Sequence, residues 1–108
     1  MKYYVMANLQ LETPAKRDQL VAAIKDELVG KPIWGKAILS EGTDLEGIPI
    51  SSVEVRFDRK EDMEELLAFI TERMEYIPVI KGQISKHPCS HDLAPDHQSC
   101  IDLEIYSK

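Results

Sequence analysis

Every histidine and cysteine of this chain falls within residues 87–100, and the first 86 residues contain neither type. These residues are His87, Cys89, His91, His97 and Cys100. Imidazole and thiolate are the side chains that borderline-soft transition metals prefer, and a short tract that holds both is typical of a metal site. The clustering therefore predicts that these residues bind a metal ion.

Zinc is the metal that this set of side chains favours, because zinc is commonly bound by two thiolates and two imidazoles. Cys89 and Cys100 with two of the histidines would complete such a site. Iron or nickel in an octahedral site, with Asp92 and Asp96 nearby, is an alternative. A closed site would be structural or sensory, and an open position would allow catalysis by metal-bound water. The spacing of these residues does not distinguish a closed site from an open one.

Two other interpretations of the same residues stay open. The segment is also compatible with a polar loop whose thiols have no special role. A thiol function is the other interpretation, either a redox role through a disulfide between Cys89 and Cys100 or nucleophilic catalysis by a Cys89 thiol whose pKa is lowered by His87 or His91. The sequence therefore offers a metal site, a plain loop and a thiol-based redox protein as explanations.

Apolar residues recur with the periods of strands and helices along the rest of the chain. The predicted elements are, in order, a strand over residues 2–11, a helix from Pro14 to Val29, strands at Ile33–Ser40 and Ser51–Phe57, a second helix, and strands at Val79–Lys86 and Cys100–Tyr106. The stretch Gly42–Pro49 has the composition of a loop.

Both helices have recognisable start signals. Thr13 is suited to cap the first helix, Pro14 suits its first position, and Gly30 marks its end. Asp58 with Glu61 resembles a capping box at the start of the second helix. The apolar stripe of that helix consists of Met63, Leu66, Leu67, Ile70 and Met74.

This order of elements predicts an α+β chain with the ferredoxin-like split βαβ arrangement, βαββαβ, and one additional C-terminal strand. Both helices would cover one face of an antiparallel sheet. The other face would display a partly apolar set of residues: Tyr4, Met6, Asn8, Trp34, Lys36, Ile38, Glu54 and Arg56. Because large apolar patches are rarely left in water, we expect a second copy of the chain or a small-molecule pocket on that face.

Length and charge limit the function further. At 108 residues the chain suits one domain, here taken as residues 1–108. A net charge of −6 with no basic run makes nucleic acid an unfavourable partner. No segment has the apolar length of a signal peptide or membrane span, so we expect a cytoplasmic protein without a membrane partner.

The segment Lys86-His87-Pro88-Cys89-Ser90, at the end of a predicted strand, resembles the end of muconolactone isomerases. The resemblance implies a ferredoxin-like chain that forms homo-oligomers and shifts a proton within an unsaturated lactone without a metal. Trp34-Gly35 departs from the Trp-Arg pair that this family tends to have in its second strand.

For such proton transfer, the ionisable groups on the open face would be Lys36, Glu54 and Arg56. The alternatives are a cross-strand ion pair between Lys36 and Glu54, and a subunit contact for Arg56. Trp34 and Tyr4 are more typical of interface anchors than of substrate stacking.

Overall fold

The computed structural model describes residues 2–89 and 103–108. Its elements are β1 (Lys2–Leu11), α1 (Pro14–Leu28), β2 (Ile38–Thr43), β3 (Pro49–Phe57), α2 (Lys60–Arg73), β4 (Val79–Cys89) and β5 (Leu103–Ser107). The order of strands and helices is the one that the sequence predicts. Neither helix is long and apolar enough to cross a membrane, as judged within the described ranges.

The strands form one antiparallel sheet in the order β2-β3-β1-β4-β5. The first strand is central and pairs with both β3 and β4, so each helix connects strands that are not neighbours. This is the ferredoxin-like arrangement, and β5 extends it beyond β4. The predicted fold class is therefore confirmed, including the additional C-terminal strand.

The core lies between one face of the sheet and the two helices. Alternate residues of β1 and β3 are buried there, as the period of two predicts. The largest fully buried side chains come from both strands and helices: Phe57, Leu9, Leu11, Leu20, Ile24, Leu66, Ile70 and Ile84. The opposite face of the sheet, which we call the open face, carries the residues that alternate with them.

The first helix begins as predicted. Thr13 is the N-cap and its hydroxyl accepts a hydrogen bond from the backbone N–H of Lys16 at 3.2 Å, with Pro14 following in the first turn. The helix ends at Leu28, one residue before the predicted Val29, and Gly30 has a φ of +78°. Glycine adopts this left-handed conformation without steric cost, so it allows the chain to leave the helix.

The predicted cap of the second helix is wrong. The N-cap is Arg59, with no side-chain cap hydrogen bond, and Asp58 lies one residue earlier. The Asp58 carboxylate instead accepts a hydrogen bond from Lys2 Nζ at 2.5 Å. Buried Asp62 occupies the first turn with its Oδ2 3.4 Å from Arg59 Nε, close enough for ionic attraction but without hydrogen-bond geometry. A long-range ion pair thus replaces the local capping box.

The predicted second strand is wrong in its position. Ile33 makes only an isolated bridge to Phe57, and β2 runs from Ile38 to Thr43 rather than from Ile33 to Ser40. Gly35 interrupts the extended backbone with a φ of +73°. The alternation over 33–40 hides this interruption because glycine fits either conformation.

The predicted loop over Gly42–Pro49 is correspondingly too long. Gly42 pairs with Ile50 within the β2–β3 hairpin, and β3 begins at Pro49 rather than Ser51. The turn is held by one Asp44 oxygen, Oδ1, which accepts hydrogen bonds from the backbone N–H groups of Glu46 and Ile48, both at 2.8 Å. Aspartate closes tight turns in this way.

The last two strands also differ from prediction. The fourth strand continues past Lys86 to Cys89, so His87 lies within the sheet rather than in the connection after it. The described part of the last strand runs from Leu103 to Ser107, and the predicted start at Cys100 lies outside the described residues.

An ion pair between Lys31 and Glu65 connects the end of the first helix to the second. Their hydrogen bond raises the pKa of Lys31 above its ordinary value of 10.5 and lowers the pKa of Glu65 below 4.5. The stability that Glu65 contributes is therefore present above pH 4.5 and is lost as the pH falls through its lowered pKa. The Lys31 contribution is lost only as the pH rises above 10.5.

Glu65→Gln is accordingly expected to lower the thermal midpoint slightly at pH 7, and the difference from the parent protein should shrink in acid below pH 4.5. Thermal unfolding followed by circular dichroism, at pH 7 and below pH 4.5, measures this difference in thermal midpoint. Glu61→Gln is the control, because Glu61 is exposed on the same helix. A difference that persists unchanged in acid would contradict the pairing.

Candidate functional site on the open sheet face

A row of four large side chains crosses the open face at one end of the sheet. Tyr4 on β1 is directly opposite Arg56 on β3 and also directly opposite His87 on β4. Trp34 continues the row, because its backbone N–H donates a 2.7 Å hydrogen bond to the carbonyl of Arg56. We call these residues, Trp34, Arg56, Tyr4 and His87, the cross-sheet row.

The side chains of the cross-sheet row contact one another through their π faces. The guanidinium carbon of Arg56 lies 4.2 Å from the centroid of the Trp34 ring, a cation–π contact. The rings of Tyr4 and His87 are stacked, with centroids 4.8 Å apart and planes 29° apart. The ammonium of Lys2 lies 5.8 Å from the Trp34 ring centroid. Two cations and three rings thus meet on one surface.

The break in the predicted second strand places Trp34 in this row. Ile33 bridges to Phe57 and Trp34 bonds to Arg56, so this segment follows the end of β3 before the chain turns at Gly35. A Cβ atom at Gly35 would lie 3.6 Å from a terminal nitrogen of Arg56. The turn therefore brings the indole and its backbone close to the guanidinium.

His87 is the most buried member of the row, with 3% of its surface exposed. Tyr4, Trp34 and Arg56 are half-buried. The His87 imidazole is nevertheless in stacking contact with the Tyr4 ring on the neighbouring strand. Imidazole is the side chain best suited to exchange protons near neutral pH, so the row includes an acid–base group.

The three predicted catalytic candidates are separated by the structure. Arg56 belongs to the cross-sheet row. Glu54 is half-buried in the next position of the same face, opposite Met6 on β1 and Ile38 on β2. Lys36 is exposed and precedes β2. The cross-strand ion pair between Lys36 and Glu54 is wrong, because Ile38 occupies the position opposite Glu54.

The five predicted metal ligands are only partly described. His87 and the backbone of Cys89 lie on β4, opposite Tyr4 and Lys2 respectively. His91, His97 and Cys100 lie outside the described residues. Among residues 2–89 and 103–108, no three His, Cys, Asp or Glu side chains are placed to hold a metal ion. The five-residue metal site therefore stays a prediction.

The sequence predicts Tyr4, Trp34 and Arg56 on one face but does not connect them to His87. The missing information is the register of β4 against β1, which sets Tyr4 opposite His87. Spacing along the chain carries no such signal, since the two residues lie near opposite ends of the sequence. The usable sequence signal is limited to Tyr4 lying near the start of one predicted strand and His87 lying directly after the end of another.

Comparisons with solved structures support the fold and nothing beyond it. No family model and no curated protein matches the chain. A Deinococcus radiodurans protein, provisionally designated an antibiotic biosynthesis monooxygenase, is similar in structure with a TM-score of 0.58 and 12% identity, over 85% of this chain and 96% of that chain. A second protein with the same provisional designation, from Chloroflexus aurantiacus J-10-fl, has a TM-score of 0.50 and 14% identity, over 87% of this chain and 100% of that chain. The chain therefore shares the ferredoxin-like fold of these proteins.

Proposed function

We propose that this chain is a small-molecule-binding domain that holds a planar organic anion against the cross-sheet row and acts as a homo-oligomer. One observation carries the proposal: the guanidinium of Arg56 lies 4.2 Å from the Trp34 ring centroid and its strand neighbour Tyr4 stacks on His87. A cation and aromatic rings thereby lie on the same small surface.

The chemistry of these groups defines the ligand. A guanidinium presents a rigid fork of donors that matches a carboxylate, and aromatic faces favour a flat conjugated body. An unsaturated carboxylate satisfies both. The overall charge of −6 repels anions, so the local cation at Arg56 is needed to hold one, while the nearby Lys2 ammonium is paired with Asp58.

Proton transfer is the reaction that this surface is equipped to support. His87 supplies an acid–base group beside Tyr4, and Glu54 lies two residues from Arg56 on the same face. The resemblance of the segment around His87 to muconolactone isomerases favours the same chemistry, a proton shift in an unsaturated lactone. We propose this reaction for the bound anion.

Muconolactone is therefore the first compound to try, and the chain has a single tryptophan, Trp34, whose fluorescence reports binding directly. We expect muconolactone to change this fluorescence in a saturable manner. Arg56→Gln should weaken binding at least about tenfold, since a hydrogen-bonded charge contributes about 1.5–3 kcal/mol. Arg59→Gln, an exposed arginine at the start of α2, is the matched control. Unchanged binding by Arg56→Gln would contradict the proposal.

His87→Gln separates binding from reaction. We expect this variant to bind muconolactone within about threefold of the parent protein but to lose at least about 100-fold in proton–deuterium exchange of the ligand. Proton NMR of the ligand in deuterated buffer measures the exchange. Exchange that continues at the parental rate would exclude His87 as the acid–base group.

A second copy of the chain is the proposed cover of the open face. Ile38 is 58% exposed there, and half-buried Met6 and Tyr4 lie on the same face. Burial of such a patch between two copies removes apolar surface from water. Ile38→Glu should therefore shift the protein towards monomer in sedimentation velocity. Val29→Glu, at an exposed residue after α1, should leave the oligomer unchanged.

A zinc site is the second candidate function. His87 and Cys89 occupy alternate positions along the backbone of β4. Zinc would connect them to His91, His97 and Cys100, and it would stabilise the fold because the unfolded chain lacks the assembled site.

Elemental analysis of the native oligomer tests this candidate. We expect near-stoichiometric zinc that Cys89→Ser and His91→Ala each remove, and a lower melting temperature after chelation. Metal-free native protein would exclude it. If Cys89 in such a protein reacts with iodoacetamide to an extent that changes with oxidant, the thiol-based redox function would be supported instead.

A further inference from the structure

A cavity lies on the opposite side of the sheet from the cross-sheet row. It has a volume of about 320 Å³ and lies beside the start of α2 and the edge formed by β4 and β5. Its lining residues are Tyr3, Lys60, Met63, Lys86, Pro88 and Leu103. The volume is at the lower end of the range for small-ligand pockets.

Lys86 is an unexpected residue at its position. It belongs to the face of β4 that packs against the helices, and it lies opposite Val5 on β1 and Leu103 on β5. Its neighbour on that face, Ile84, is fully buried, as is Val5. A half-buried lysine in an otherwise apolar row needs water or an anion to solvate its ammonium.

Two of the three polar groups of this cavity lack partners within the described part of the chain. Neither the Lys86 ammonium nor the Tyr3 hydroxyl has a hydrogen bond or ion pair there. The Lys60 ammonium has only a distant ion pair, 3.9 Å from Glu64, between two exposed side chains. Lys60 also begins α2, where the helix dipole favours negative charge. The cavity therefore brings two lysines and a tyrosine hydroxyl together beside the start of α2.

The rest of the lining is apolar. Met63 is buried, Leu103 is 52% exposed, and Pro88 adds a ring without a backbone donor. These walls accept a hydrocarbon body but offer nothing to additional polar groups. A ligand with one anionic end and one apolar end matches this division.

We propose that the cavity binds a small amphipathic monoanion, a carboxylate with a short alkyl or aryl tail. The carboxylate lies beside Lys86, Lys60 and the Tyr3 hydroxyl, and the tail contacts Met63 and Leu103. The site is separate from the cross-sheet row, so it adds a second ligand to the function proposed above and does not depend on that function.

Octanoate is the probe, measured by isothermal titration calorimetry with the full-length chain. We expect saturable binding at one site per chain, at least about tenfold tighter than 1-octanol or octylammonium, because only the anion pairs with the lysines. Acetate, which has the charge but no tail, should bind too weakly to detect. Equal binding of the three octyl compounds would overturn the proposal.

Variants locate the site. Lys86→Gln should weaken octanoate binding at least about tenfold, and Lys86→Arg should keep it within about threefold. Lys81→Gln is the matched control, because Lys81 belongs to the open face of the same strand, opposite Gln10. Leu103→Trp should abolish binding by filling the cavity at a partly exposed position that tolerates substitution.

Arg56→Gln distinguishes the two proposed sites. It should leave octanoate binding unchanged while it weakens muconolactone binding. Either proposal can therefore be contradicted while the other stands. If Lys86→Gln and Leu103→Trp both bind octanoate like the parent protein, or if Arg56→Gln removes octanoate binding, the cavity is not the octanoate site.

Discussion

Phe57→Ala is expected to lower the free energy of unfolding by about 3–5 kcal/mol, the range found when a buried phenylalanine is truncated. Phe57 is fully buried at the end of β3, where it pairs with Tyr3 and bridges to Ile33. Its removal leaves a cavity beneath Arg56 and the Trp34 segment. The substitution therefore weakens the core and the support of the cross-sheet row together.

Urea denaturation followed by circular dichroism measures this loss. Tyr76→Ala is the control, since Tyr76 is 72% exposed and its truncation should change the free energy of unfolding by less than about 0.5 kcal/mol. A loss below about 1 kcal/mol for Phe57→Ala would show that the end of β3 is not part of the core.

Gly82→Ala is expected to lower the free energy of unfolding by about 2–3 kcal/mol, because an added methyl group would overpack the sheet. A Cβ atom there would lie 2.6 Å from the carbonyl oxygen of Asn8 and 2.9 Å from Leu9 Cα. Both are backbone atoms of the central strand, so they cannot rotate away as a flexible side chain would.

Gly42→Ala is the matched control, because a Cβ atom at Gly42 would meet nothing within 4 Å. This variant should keep or slightly raise the free energy of unfolding, by up to about 1 kcal/mol, since alanine restricts the unfolded chain. Urea denaturation of both variants gives the comparison. Equal stability of the two would contradict the close approach of β1 and β4 at Gly82.

The elements that repeat their pattern over many residues are correctly predicted. Alternation in β1 and the cap formed by Thr13 and Pro14 are local signals, and both are confirmed. Errors occur where a local signal competes with a distant partner. Asp58 pairs with Lys2 instead of capping α2, and Gly35 interrupts a segment whose alternation favours a strand.

The sequence predicts the residues of this site separately. Arg56 is a catalytic candidate, His87 is a metal candidate, and Tyr4 and Trp34 are interface anchors. The register of β1 with β3 and β4 makes them neighbours. The local sequence pattern does not mark Lys86 as a possible ligand contact, because a lysine near a strand end is usually a solvated residue.

The amino-acid order alone was sufficient for the architecture, since apolar periodicity, caps and glycines act over a few residues and specify strands, helices and their succession. The two proposed binding surfaces can be identified only in the folded chain. Strand register and helix docking depend on contacts between residues far apart in sequence, and they place Arg56, Tyr4 and His87 in one row. The same packing sets Lys86 beside Met63 across the sheet's other face. No pattern within a short segment encodes the distances between these residues, because they are set only when the strands pair and the core packs.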